Sequence, residues 1–216
     1  MGGIKPYRVP AGEGEDVLIE KKSRFIGHVY KVETVEEINE ILAAQRKKYW
    51  DASHVVYAYI LKNGVMRFSD DGEPQGTSGM PTLEVFRKEE INDVLCTVVR
   101  YFGGTLLGAG GLVRAYSKTA KMALDAAGIA VMQPHLEVLV DCPYSLLEIV
   151  RKRFDNFEAV EESADFGASV LLTVYMPTGQ FEGFCADIID VTNGQVEPMA
   201  GEEKLFARRI TESAEK

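Results

Sequence analysis

The sequence predicts an α+β protein of two domains. Strand-like alternation and helix-like periodicity follow one another along the chain, a helix stop at Gly128 with Pro134 soon after divides it, and the charge changes at that division. Residues 1–133 hold 17 Lys and Arg against 17 Asp and Glu, whereas residues 134–216 hold 7 against 16. The expected domains are therefore 1–133 and 134–216. A net charge of −9 excludes a globally basic nucleic-acid binder, but not a local basic face on the first domain.

In the first domain, residues 17–20 and 25–32 read as strands. Thr34-Val-Glu-Glu37 is a capping-box pattern, and Ile38, Ile41 and Leu42 mark one face of the helix it opens, which runs to about Tyr49. Residues 54–61 alternate and are rich in Val, Tyr and Ile, as a strand requires. Asn63-Gly64 supplies the positive φ angles of a two-residue hairpin loop, with residues 66–69 as the return strand. A loop over 69–81 follows, and Pro81 opens a helix through Glu90. Residues 94–102 form a strand of the fully buried type, and a helix from about Leu112 to Ala127 ends at Gly128.

The second domain reads β-α-β-β-α-β. A strand over 136–142 precedes a helix box-capped by Ser145 and Glu148 and running to about Phe154. Residues 158–164 and 169–176 flank the turn Asp165-Phe166-Gly167. Phe181, Phe184, Cys185 and Ile188 fall on one helix face, Asn193-Gly194 stops that helix, and 195–206 holds the last strand. This order is the ferredoxin-like pattern, which hosts many functions and decides none.

The opening residues lack the apolar run of a signal peptide, and nothing approaches a membrane span. Cys96, Cys142 and Cys185 are odd in number and widely spaced, which suits reduced thiols in a cytoplasm. Neither a metal nor a cofactor is expected, because the cysteines and histidines are too scattered for a structural zinc site.

Two stretches have spacing that could carry chemistry. Residues 100–118, RYFGGTLLGAGGLVRAYSK, place a glycine turn between a strand and a helix, where backbone N–H groups attract anions. The stretch is neither a Walker loop nor a dinucleotide fingerprint. Arg114, Lys118 and Lys121 fall on one helix face with Arg100 just before the turn, giving a candidate RNA- or anion-binding stripe with Gly103, Gly104, Gly108, Gly110 and Gly111. The plain alternative is that the glycines allow tight packing. The second stretch, residues 70–79, crowds Asp70, Asp71 and Glu73 before Thr77. It reads as an acidic turn whose carboxylates satisfy its own backbone, with metal binding as the alternative. Ser53 and His54 are adjacent in a strand and point to opposite faces, so they cannot act as nucleophile and base.

AxH at 52–54, DDGEPQGTSGMP at 70–81 and VVRYFGGTLLGAGGLVRAY at 98–116 together resemble the IMPACT family. The resemblance covers about residues 15–128, and the remainder resembles the small C-terminal domain of bacterial members. It implies a first domain similar to domain 2 of ribosomal protein S5 and to the fourth domain of elongation factor G. It likewise implies a second domain similar to that factor's ferredoxin-like last domain. Ser78 departs from the alanine common at that motif position. The expected function is a non-enzymatic, translation-linked regulatory protein that contacts RNA or the ribosome through the first domain. Two alternatives stay open. One is an enzyme whose cleft joins His54, Asp70, Asp71, Glu73 and Thr77 to the glycine turn; the other is a protein-interaction module with a translation-related partner.

Overall fold

A computed structural model describes residues 5–209. Residues Tyr7–Val131 form one compact unit and Met132–Phe206 the other.

The first unit begins with a short strand, β1 (Tyr7–Pro10), absent from the sequence-based expectation. β2 (Gly14–Glu20) and β3 (Ser23–Lys31) form a hairpin. α1 (Val35–Lys48) opens as its box predicts: Thr34 Oγ1 accepts from Glu37 N, and the Glu37 carboxylate accepts from Glu33 N, one residue before the expected partner. β4 (His54–Ile60) and β5 (Met66–Ser69) form the Asn-Gly hairpin. α2 (Gly79–Lys88), β6 (Val94–Tyr101) and α3 (Ala109–Ala127) complete the unit. Both helices start earlier than Pro81 and Leu112 suggest. α2 takes Pro81 inside its first turn, and α3 begins directly after Gly108, whose φ of 72° is open to glycine at little cost.

The sheet order is β2-β3-β6-β4-β5, antiparallel throughout. β6 is its centre and is buried on both faces, as its apolar run predicts. Phe25, Val56, Cys96 and Val98 join Leu83 and Phe86 of α2 and Leu112, Tyr116 and Leu124 of α3 in the larger core. On the opposite face Leu95 and Tyr59 pack with Ile38 and Leu42 of α1. Alternation therefore puts Arg100 on the α2–α3 face, in line with Cys96 and Val98.

The second unit follows the expected order. Its strands are β7 (Ile129–Cys142), β8 (Val160–Phe166), β9 (Val170–Pro177) and β10 (Met199–Arg209). They are joined by α4 (Leu147–Arg151) and α5 (Phe181–Val191). The order β8-β9-β7, with β10 on the other side of β7, is the ferredoxin-like arrangement. Val140, Val174, Phe154, Phe184 and Ile188 lie in its core. Three local expectations need correction. β7 starts at Ile129 rather than Leu136 and accommodates Pro134 just before its ladder with β9 begins at His135. β10 starts at Met199 rather than Gln195. Ser145 does not cap α4: Leu146 N bonds Pro143 O and Leu147 N bonds Tyr144 O, so tight turns occupy the residues that a box would need.

Candidate functional site

The register across the first sheet sets up the site. Arg100 on β6 stands opposite His54 on β4 and opposite Phe25 on β3, so the three form a row at one end of the central strands. The guanidinium lies over the rings of Phe25 and Phe102, 5.3 and 5.5 Å from their centroids. Its Nη1 donates to Glu73 Oε1 at 2.6 Å, and Nη2 reaches Ser23 Oγ at 3.4 Å. Tyr116 of α3 donates its hydroxyl to the same Glu73 oxygen at 2.8 Å. Burial, and then the neighbouring Glu73 carboxylate, push the Tyr116 phenol far above its ordinary pKa.

His54 completes the group. Its Nδ1 is 2.7 Å from the Asp71 carbonyl oxygen, which can only accept, so Nδ1 carries a proton. In the neutral ring Nε2 is then the free acceptor, and it faces Glu73 Oε1 at 3.8 Å. His54, Glu73 and Arg100 share a cavity of about 380 Å³ with Phe102, Leu106, Leu107 and the first residues of α3. The AxH, DDGEP and glycine-turn segments thus meet on one surface.

The other acidic-loop residues hold the loop. Asp70 accepts from Gly76 N, Ser78 N, Ser78 Oγ and Gly79 N. It therefore caps α2 from across the loop, where the N-cap residue Ser78 makes no side-chain capping bond to the helix backbone. Asp71 Oδ2 accepts from Val55 N at 2.6 Å, and Thr77 Oγ1 donates to Pro74 O at 2.7 Å. These are the self-satisfying contacts of an acidic turn, and among the described residues no group of three or more His, Cys, Asp and Glu is placed to hold a metal.

The predicted basic stripe divides. Arg100 is not on the helix face at all; it is buried against Glu73. Lys121 is tied to Glu89 at 3.1 Å and Asp125 at 2.7 Å. Arg114 and Lys118 are exposed and, with Lys21 from the β2–β3 turn and Gly111, line a cavity of about 210 Å³. Glu20 is the acidic side chain in that lining. Gly103 serves packing: a Cβ there would lie 2.0 Å from the Lys22 carbonyl carbon, and its N–H donates to Ser23 Oγ. Gly104 and Gly108 have positive φ, and Gly110 and Gly111 fall in the first turn of α3.

Sequence reasoning missed Tyr116, Ser23, Phe102 and Lys21 as parts of these sites. Tyr116 falls in a family motif, but only the fold shows that its hydroxyl reaches Glu73. Cys96 is fully buried, and burial drives its thiol pKa strongly upward, in keeping with a packing role.

The fold and site define a two-domain α+β chain whose first unit joins a histidine, a buried Glu–Arg pair and a glycine-led helix. Family comparison agrees with this description. Residues 21–124 match the Impact N-terminal domain, and residues 140–195 match a domain of unknown function, DUF1949. The chain is 31% identical over 199 residues to IMPACT family member YvyE of Bacillus subtilis (strain 168), covering 91% of this chain and 92% of that one. It is 31% identical over 204 residues to IMPACT family member YigZ of Escherichia coli (strain K12), covering 93% and 100%. A solved structure described as that of a hypothetical protein superposes with a TM-score of 0.58 at 31% identity, over 93% of this chain and all of that one. The chain belongs to the IMPACT family.

Proposed function

We propose that this protein is a translation-linked regulatory protein that contacts RNA or the ribosome through its first unit. The observation that carries the reading is the cavity framed by Lys21, Arg114 and Lys118. None of these three cations has a salt bridge among the described residues, unlike Lys121 and Arg100. Unpaired cations at a concave surface concentrate phosphate without needing a globally basic chain. The resemblance of the domain pair to consecutive domains of a translocation factor supports a ribosomal setting. The acidic second unit is repelled by phosphate, so the basic cavity bears the contact. No helix among the described residues is long and apolar enough to cross a membrane, and the thiols are free, which fits a cytoplasmic setting.

The test is cosedimentation with ribosomes at low and moderate salt, comparing wild type with Arg114→Glu, Lys118→Glu. Wild type should pellet at low salt and release as salt rises, whereas the double variant should stay in the supernatant. Equal pelleting of both would remove the cavity from the reading. Partners that survive nuclease treatment would favour the protein-interaction alternative.

A further inference from the structure

The α1 side of the first sheet ends in a second surface, which the basic cavity does not include. Directly opposed strand residues share a face, so Ile19 of β2, Arg24 of β3 and Tyr101 of β6 form a row across the end of the sheet. Behind that row Ile26, Val55 and Val99 are buried, with Tyr49 and Tyr101 packed against them. Tyr49 ends α1, and Trp50 follows it outside the helix. The Tyr101 hydroxyl donates to Asp51 Oδ1 at 2.8 Å, which ties the Tyr49–Asp51 segment to the end of the row.

This surface combines exposed apolar area with free positive charge. Trp50 is 82% exposed and Ile19 70%. A single exposed apolar side chain is ordinary, but here the two stand with half-buried Tyr49 and Tyr101 at one end of the unit. Arg24 and the last turn of α1, Arg46, Lys47 and Lys48, are all exposed. None of the four has a salt bridge among the described residues. Lys48 Nζ lies over the Tyr49 ring, 4.9 Å from its centroid. The acids nearby are already engaged: Asp51 accepts from Tyr101, and Glu15 Oε2 faces His28 Nδ1 at 3.3 Å.

An open aromatic ring among free cations suits an unpaired nucleobase and its phosphates. The centre of a protein interface is instead depleted of charge. A duplex stacks its bases on one another and leaves none for Trp50.

We propose that this surface binds a single-stranded segment of RNA, with an unpaired base stacked on Trp50 and the adjoining phosphates held by Arg24, Lys47 and Lys48. The inference rests on the RNA reading above and narrows it to unpaired RNA. Arg24 opens β3 just after the turn that carries Lys21, so this sheet edge joins the surface to the basic cavity.

Trp50 is the only tryptophan in the chain, so its fluorescence reports on this surface alone. The test titrates the full chain at low salt with an oligouridylate of about ten nucleotides, and separately with an RNA duplex of the same length. The single strand should quench Trp50 saturably, and the duplex should leave it unchanged. Anisotropy of a labelled oligouridylate then compares wild type with Trp50→Ala and Trp50→Phe. Trp50→Ala should bind about tenfold more weakly, the loss of one base stack, and Trp50→Phe should lose less because a ring remains. Trp50→Ala should keep its melting temperature, since the side chain is exposed and lies outside α1. No quenching by the single strand, as for a surface that docks protein, would overturn the proposal. So would equal quenching by the duplex, or equal affinity of Trp50→Ala and wild type. The titration contains no ribosomes, and Trp50→Ala leaves Lys21, Arg114 and Lys118 in place. An unchanged Trp50 signal beside salt-dependent pelleting with ribosomes therefore removes this surface and leaves the RNA reading standing.

Discussion

Arg100 and Glu73 form an ion pair of 2.6 Å in which both side chains are nearly sealed from water. The strand that ends at Arg100 and the acidic loop that carries Glu73 are thereby locked together beneath the candidate cleft. Tyr116 and His54 approach the same carboxylate oxygen, so one loop residue organises side chains from β4, β6 and α3.

Breaking that pair on one side should be severe. Glu73→Gln leaves a buried guanidinium without its counter-charge and should destabilise the first unit by about 3–5 kcal/mol. Arg100→Met with Glu73→Gln should cost less than the sum of the single changes. Chemical denaturation of the three variants checks this, and strict additivity would mean that the pair is not coupled.

Gly103 should accept no side chain. Gly103→Ala drives a Cβ into the Lys22–Ser23 backbone, with a closest approach of 2.0 Å to a carbonyl carbon. A destabilisation of about 1–3 kcal/mol is expected from overpacking. The melting temperature of Gly103→Ala should fall below that of Gly104→Ala by a margin set by this clash, since a Cβ at Gly104 meets open space despite its positive φ.

The Asp70 carboxylate should make the acidic loop acid-sensitive. Burial alone would raise its pKa, but hydrogen bonds from Gly76, Ser78 and Gly79 outweigh that and hold it below its ordinary value. A depressed carboxylate contributes stability that is present above its unfolded pKa of about 3.9 and lost as pH falls through the folded value. Asp70→Asn should lower stability at neutral pH and flatten the acid limb of the stability–pH curve.

His28 should act in the same direction at higher pH. It lies almost fully inside the sheet, where burial lowers its pKa, opposed by Glu15 and assisted by Lys48. The unfolded chain therefore takes up a proton before the folded one does. Stability is full above the unfolded pKa of about 6.5 and declines as pH falls from there towards the lower folded value. His28→Gln should reduce this slope, as read by denaturant midpoints between pH 5 and about pH 7.

Much of the fold was legible in local pattern. β6 is buried on both faces as its unbroken apolar run implies, and the α1 box and the Asn63-Gly64 turn form where their residues stand. β1 and the early start of β7 were not legible, because these residues owe their strand conformation to pairing with distant chain rather than to local sequence. The same holds for the site. His54 and Glu73 stand out within motifs, but Arg100 reads as a surface cation until the register sets it between Phe25 and His54. Lys21 gives no local hint of meeting Arg114 and Lys118, because only the folded hairpin brings it there.

We propose that Lys21, Arg114 and Lys118 contact RNA phosphates. The most direct measurement is the slope of log affinity against log salt for a structured ribosomal RNA fragment. Three phosphate contacts predict a wild-type slope of about −2.7, and replacing Arg114 and Lys118 by Glu should make it shallower by about 2. Identical slopes and affinities for the two proteins would contradict the account.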